Sequence, residues 1–502
     1  MSACTLCRNS VHVDTVLPPW YTALQEKADA GGGGRRGTEA MEKLQAFATE
    51  FITGTRDYVF IRPEDRLLIL RPNKIHYLNR TATEMLAALY AQEEPDVAAV
   101  VRQTAARYGV PEAQVEADLD RLLRSLSLVL QEREGAAPAV RKTPFGSHFR
   151  ELPVLSEIAL TYRCQNRCTF CYAGAPERGR QVPEMSTEEV KRILDIIVDD
   201  ARVPTVSFTG GEPTLRSDLA ELIAYAKSRR LRTNLITNGV RCGDPEYAET
   251  LAAAGLDSAQ VSLEAADPQV HDAIVGRPGA WQRTVRGIHN LKAAGVHVHT
   301  NTTINNLNRD HLPALVDFLA EMGQPYLSMN MVIRTGDAVG KMEIGYREIG
   351  DLVVPLKERA NRHGMKFVWY SPVPLCLFNP VAHGLGSQSC SAADGLLSVA
   401  PDGSVLPCSS FEQGVGNLLR EPFEEVWNKR AARYWRNKEF LPPGCRGCEL
   451  AALCCGACPL YWDERGNFDE LLPHLRPTSA PARWVWQAKR RWLGRTKGVG
   501  IR

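Results

Sequence analysis

Three cysteines, Cys164, Cys168 and Cys171, stand close together in the stretch TYRCQNRCTFCYAG, residues 161–174. Thiolates at this density suit a soft or redox-active metal. Three of them can hold three irons of a [4Fe–4S] cluster, which leaves an open position on the fourth. An open metal position is where a ligand is activated, the feature that separates catalytic from structural sites. The competing reading is zinc with a distant fourth ligand. More thiols lie toward the C-terminus. Cys390 and Cys408 bracket SAADGLLSVAPDGSVLP, and CRGCELAALCCGAC supplies Cys445, Cys448, Cys454 and Cys458 in the spacing Cx2Cx5Cx3C. Cys376 lies upstream of these. Cys455 reads as a bystander, Cys242 as a structural thiol, and Cys4 with Cys7 as an isolated CxxC, which is a weak signal by itself.

The chain has 502 residues, a formal net charge of +2 and 44% hydrophobic residues. That length suggests about three domains, and the balanced charge gives no general pull toward nucleic acid or membrane. The opening stretch MSACTLCRNSVHVDTVLPPW lacks the apolar segment of a signal peptide. No apolar run reaches the roughly 18 residues of a spanning helix. A soluble, cytoplasmic protein is expected, in which 14 cysteines read as metal or redox groups rather than disulfides.

The elements that must position these thiols fall into blocks. Residues 1–56 read as an irregular tail with a glycine-rich linker, ADAGGGGRRG, which has nothing to pack. Residues 57–133 read as three short strands (YVFI, RLLIL, KIHYLN) followed by three helices. The first helix has Thr81 as an expected cap with Glu84 three residues on. The second runs from near Pro95 to Gly109. The third carries Val115, Leu119, Leu122, Leu123 and Leu126 on one face. A linker is expected over 134–152. From 153 to 345 strands alternate with helices: SEIAL, TVSFTG, RTNLITN, SAQVSLEA, VHVHTNTTIN and YLSMNMVI are the strands. Such alternation predicts an α/β fold with a parallel sheet, active residues at the C-terminal strand ends. A cysteine-rich region follows over 346–475, then a basic, tryptophan-bearing tail over 476–502. RWVWQAKRRWLGRTKGVGIR is a candidate for a membrane surface or a packed, solvated helix.

CxxxCxxC after the first strand, TGGEP (209–213), TNG (237–239) and VSLEA (261–265) together resemble radical S-adenosylmethionine (radical SAM) enzymes. The resemblance implies a partial (βα)6 barrel in which Cys164, Cys168 and Cys171 hold the cluster. It also implies that the open iron chelates SAM, which is cleaved to methionine and a 5′-deoxyadenosyl radical. Phe170 matches the aromatic before the third cysteine. Gly210, Gly211 and Glu212 match the motif near the SAM amino group, and Ser262 and Glu264 the ribose-contacting strand. The C-terminal cysteines resemble the SPASM extension, which holds up to two auxiliary [4Fe–4S] clusters. The resemblance assigns Cys390, Cys408 and Cys458 to an inner cluster, with Cys376 as its candidate completion, and Cys445, Cys448 and Cys454 to an outer one. The family's last cysteine is missing after Cys458, so the outer cluster would use Asp463, Asp469 or His474, have an open iron, or be absent. The winged-helix-like module, through LLILRPNKIHYLNRTATEML, resembles the PqqD-like recognition element of peptide-maturation systems. There a leader peptide adds as a strand to the sheet edge and lies against the third helix; a DNA-binding or merely packed winged helix is the bland alternative.

The combination implies an oxidoreductase that modifies, by cross-linking, a ribosomally made peptide held through its leader. Its electrons would come from a flavodoxin- or ferredoxin-type donor, with no nucleic acid involved. Two other readings stand: a maturase of an enzyme side chain or a cofactor precursor (porphyrin, tungsten or quinone), and a non-catalytic iron–sulfur carrier or peptide-binding scaffold. The intact SAM motifs argue against the last. The sequence identifies no general base.

Overall fold

A computed structural model describes residues 38–71, 74–130, 140–142, 152–340, 344–386, 388–475 and 479–495. Cys4, Cys7, the glycine-rich run and most of the 134–152 linker lie outside the described residues. The chain divides into two compact units, which meet in sequence near residue 143.

The N-terminal unit is built on a four-stranded antiparallel sheet in the order β1 (Val59–Arg62), β2 (Leu67–Leu70), β3 (Lys74–Leu78), β4 (Val140–Lys142). Before it runs helix α1 (Thr38–Thr55), in the span read from sequence as irregular tail. The reason is burial: Leu44, Ala48, Phe51 and Ile52 recur at helical spacing and join the core. Three helices follow β3: α2 (Arg80–Tyr90), α3 (Val97–Tyr108) and α4 (Glu112–Leu130). Helix α2 is capped by Asn79, whose side chain accepts from Ala82 N–H at 2.8 Å, and not by Thr81. Glu84 bonds Arg80 and the Tyr108 hydroxyl instead of closing a capping box. Helix α3 ends at Gly109 in the left-handed conformation that glycine adopts without strain. Helix α4 buries the predicted apolar face. Strand β4 comes from the expected linker. It pairs antiparallel with the outer edge of β3, Tyr77 opposite Arg141.

The second unit carries a ten-stranded sheet. Six parallel strands in sequential order form its centre: β5 (Leu155–Thr161), β6 (Thr205–Gly210), β7 (Arg232–Thr237), β8 (Ser258–Ser262), β9 (His297–Ile304) and β10 (Tyr326–Met331). Helices such as Thr187–Asp199, opened by a capping box of Ser186 and Glu189, connect them. Alternation along the strands sorts their two faces. Val206, Phe208, Leu235, Ala259, Val298 and Leu327 belong to the main core. Residues of the opposite set cross-bond: Asn234 to Ser207 at 3.2 Å, Ser258 to Asn234 at 2.9 Å, Asn301 to Asn330 at 2.8 Å. A barrel lined this way has a polar lumen whose amides and hydroxyls satisfy one another. Strand β11 (Lys366–Trp369) adds parallel to β10. On the other edge β12 (Leu396–Val399) pairs parallel with β5 and continues antiparallel into β13 (Ser404–Leu406) and β14 (Gly416–Asn417). The cysteine-rich region is therefore hydrogen-bonded into the barrel's own sheet.

Among the described residues no helix is long and apolar enough to cross a membrane. The tail forms a helix, Ala480–Arg495, that exposes Trp484 and Val485.

Because Phe51 is fully buried in the N-terminal unit, Phe51→Ala should destabilise that unit by about 3–5 kcal/mol. Hydrogen exchange of residues 38–130 in the full chain checks this; unchanged protection there would show that α1 is dispensable to the core.

Candidate active site

Cys164, Cys168 and Cys171 lie in the loop that leaves the C-terminal end of β5. Three neighbours fix this loop. Arg167 and Thr169 donate their N–H groups to the carbonyls of Val275 and Ile274, at 2.8 and 2.9 Å. The Arg277 guanidinium donates to the Gln165 carbonyl at 3.1 Å. Asn238, at the end of β7, accepts from the Gln165 amide at 3.0 Å and points its own amide at Cys164 Sγ, at 3.8 Å.

Glu212 holds Asn238 in turn. Its carboxylate is fully buried and receives Thr214 N–H (3.1 Å), Thr214 Oγ1 (2.6 Å), Thr237 Oγ1 (2.7 Å) and Asn238 N–H (2.8 Å). It is a clamp between the ends of β6 and β7, and its side chain does not line the cavity. The two glycines before it serve close packing. A Cβ on Gly210, whose φ is +142°, would strike the Thr161 carbonyl, and one on Gly211 would come within 2.6 Å of the Tyr162 carbonyl. Gly211 N–H and Glu212 N–H bond Thr161 O and Arg163 O at 2.7 and 2.9 Å. The glycine pair thus lets β6 lie against the cysteine loop.

These residues open on a cavity of about 380 Å3, within the range of small-molecule sites. Its walls include all three loop cysteines, Phe170, Gly210, Gly211, Ser262 and Glu264. Ser262 ends β8. Glu264 lies two residues beyond, buried, with Thr303 N–H donating to it at 2.9 Å. Loss of water pushes its carboxyl up to about 8. Three further groups on the walls went unread in the sequence. His271 is buried; its Nδ1 accepts Glu264 N–H at 3.2 Å, so the proton sits on Nε2, which has no partner among the described residues. Burial holds this imidazole down at about 4, hence neutral. Glu157 of β5 receives Ser398 Oγ (2.7 Å) and Ser409 N–H (3.2 Å), and burial raises its carboxyl. Tyr346 accepts Cys458 N–H at 3.2 Å. Only a barrel lumen that turns polar residues inward gives these positions meaning.

Burial pushes the Cys164 thiol up to about 12, Glu212 adding to the effect, and raises those of Cys168 and Cys171. Such thiols ionise when a metal replaces the proton, so the donor set suits an iron–sulfur cluster. In such a cluster each thiolate binds its own iron.

The remaining cysteines gather in two groups. Cys408 has Cys390 and Cys458 as neighbours, and Cys458 lines the same cavity as the loop cysteines. Cys376 stands with Cys454, Cys448 and Cys445, not with Cys390. Leu375 N–H fixes it there by donating to Cys454 Sγ at 3.4 Å. Asp463, Asp469 and His474, the expected substitutes, are not among the main influences on these thiols, and His474 is exposed. Cys242 is buried in the barrel core.

Comparison with known proteins accords with this geometry. Residues 158–319 match the radical SAM superfamily, 390–449 an iron–sulfur cluster-binding domain (SPASM), and 66–127 coenzyme PQQ synthesis protein D (PqqD). An AdoMet-dependent heme synthase of Methanosarcina barkeri is 28% identical over 337 residues, 64% of this chain and 96% of the relative. A PqqA peptide cyclase of Granulibacter bethesdensis is 28% identical over 308 residues, 60% of this chain and 80% of the relative. Among solved structures, Streptococcus suis SuiB bound to precursor peptide SuiA has the same fold. Its TM-score is 0.62 at 16% identity, covering 81% of this chain and 95% of that one.

Replacing Asn238 by Ala removes the amide facing Cys164. The SAM-site cluster should then be lost several-fold faster to a chelator, as expected for about 1 kcal/mol of hydrogen bonding, while the other clusters keep their lifetimes. EPR of the reduced protein follows both; equal lifetimes for all clusters would show that Asn238 does not secure the loop.

Proposed function

We propose that this radical SAM enzyme, with its SPASM extension and PqqD-like domain, is a maturase of ribosomally made peptides. The observation that carries the reading is the presence in one chain of a strand-edge PqqD-like module and a cavity walled by the three loop cysteines and Cys458. Relatives named as peptide cyclases support it.

When bound, the cluster and SAM supply reductive cleavage to methionine and a 5′-deoxyadenosyl radical. The chain's residues set where that chemistry acts. Cys164, Cys168 and Cys171 hold the cluster, and Asn238 and Glu212 hold the loop that carries them. Ser262 and Glu264 offer oxygen atoms on the wall beyond β8, as suits a ribose, and neutral His271 offers an N–H. The barrel shelters a reactive species from water. A core residue of the peptide would give one hydrogen atom to that radical, and a further electron would pass to an auxiliary cluster as a proton leaves to solvent, so that a cross-link such as a thioether or carbon–carbon bond remains, two hydrogens lighter. A flavodoxin- or ferredoxin-type protein would supply the electrons; exposed Cys376 and Cys448 put the outer thiols within its reach.

Leader capture is expected at the sheet edge of the N-terminal unit. There β4, from the chain itself, already occupies the edge of β3 and touches α4. In this reading β4 is a stand-in that a leader strand displaces. Heme synthase relatives favour a second reading, oxidation of a porphyrin precursor, for which a peptide-binding module has no evident use.

Co-expression with a short peptide encoded beside this gene, read by mass spectrometry, should give a product two hydrogens lighter per cross-link. An unmodified peptide together with an altered porphyrin would favour the second reading. Arg141→Pro, which removes a backbone N–H from β4 and is poorly tolerated within a strand, should tighten leader binding several-fold in a fluorescence anisotropy titration. Unaltered affinity would mean the leader uses another edge.

A further inference from the structure

The chamber carries one acid that the SAM-site motifs do not use. Glu157 stands in the middle of β5, opposite Ser207 of β6 and Ser398 of β12. Strand alternation turns it to the lumen, while its neighbours Ile158 and Leu160 enter the core. Three strand spacings of about 4.8 Å separate β5 from β8 along the sheet. Glu157 therefore lies on a different wall from Ser262 and Glu264. Its Oε1 accepts both Ser398 Oγ, at 2.7 Å, and Ser409 N–H, at 3.2 Å; neither bond uses Oε2. The side chain keeps accessible surface although its strand runs through the centre of the sheet, and it lines the cavity. The surface it shows is cavity surface.

A carboxylate in such a place is costly unless a cation meets it. Among the described residues none does. Arg334 is the one arginine or lysine on the cavity wall. It is committed elsewhere: to Glu464 at 2.9 Å, to the Ile344 carbonyl at 3.2 Å, and over the Tyr461 ring at 4.5 Å from its centroid. Burial raises the Glu157 carboxyl, and no positive charge figures among the influences on it. Glu157 and Glu264 thus leave the walls with an excess of acid. Tyr172, which neighbours Thr209, Ser409 and Glu157, adds aromatic surface beside the carboxylate, and aromatic faces attract cations. A substrate group bearing a carboxylate would meet like charge on this wall; one bearing an ammonium or guanidinium would meet its complement.

We propose that Glu157 is a specificity residue, whose Oε2 ion-pairs a cationic side chain, lysine or arginine, of the peptide segment that enters the chamber. Ser398 and Ser409 hold Oε1, which fixes the carboxylate plane and leaves the second oxygen for the substrate. A charge-assisted bond in a site shut off from water is worth more than one at the surface. It would seat the segment against β5, on a wall apart from the one that suits the ribose. That the cation belongs to a peptide rests on the maturase reading; the attraction of an ammonium group to Glu157 does not.

The test is equilibrium dialysis of radiolabelled probes against the reconstituted full chain with SAM present. The probes are Nα-acetyl-lysine amide and Nα-acetyl-norleucine amide, which lacks the ammonium. The lysine probe should bind about tenfold more tightly, the size expected of hydrogen bonds to a charged group. Glu157→Gln, which keeps the shape and removes the charge, should make the two probes equal. Glu157→Asp, which keeps the charge, should retain the preference with weaker affinity for both. No binding of the lysine probe, equal binding of the two probes by the unaltered chain, or a preference that survives Glu157→Gln would each overturn the assignment. Loss of the preference in Glu157→Asp as well would show a structural role and overturn it too. Butylamine should bind more weakly than the lysine probe; tighter binding would give the site to a free amine and overturn the peptide source. Failure of the maturase reading would show separately, as no modified peptide on co-expression, with the probe preference unchanged.

Discussion

A single buried carboxylate organises the reactive end of the barrel. Glu212 has no contact with solvent; burial raises its carboxyl, and four hydrogen bonds offset part of that cost. Those bonds come from the turn after β6 and from the end of β7. They fix Asn238, which faces Cys164, so the carboxylate acts on the cysteine loop from one residue away. The glycines before it let β6 approach the loop closely enough for backbone bonding. Chemistry at the mouth of the cavity depends on this packing, although Glu212 itself does not line it.

Architecture serves the same end. The parallel strands place their loops on one rim, and the polar lumen beneath gives the cavity its hydrogen-bonding walls. Hydrogen bonding of β12 to β5 makes the cysteine-rich region a continuation of that wall rather than an appendage. Cys458 therefore lines the chamber that the loop cysteines also line, with Cys408 beside it, while Cys376 and Cys448 are exposed.

Much of this was legible in the sequence because the signals are local. Strand–helix alternation, CxxxCxxC and the C-terminal cysteine spacing each follow from a few adjacent residues. What escaped depends on distant partners. Helix α1 lay hidden behind a glycine run, although Phe51 and Ile52 had the periodicity of a buried face. Asn79 outcompeted Thr81 as a cap because its side chain meets Ala82 N–H. Spacing could group Cys376 only with its nearest cysteines in sequence, whereas the chain folds it onto Cys454. His271 carries no motif signal by itself and gains interest only as a neutral, buried ring beside Glu264. Strand β4 is three residues long and gains its place only by pairing with β3.

All of these relations presuppose that the three loop thiols hold a cluster that cleaves SAM in the barrel cavity. The direct measurement is the yield of 5′-deoxyadenosine from the anaerobically reconstituted, reduced full chain. The account predicts release of 5′-deoxyadenosine and its loss to background in the variant with Cys164, Cys168 and Cys171 all changed to Ala. Equal yields from the two proteins would contradict it.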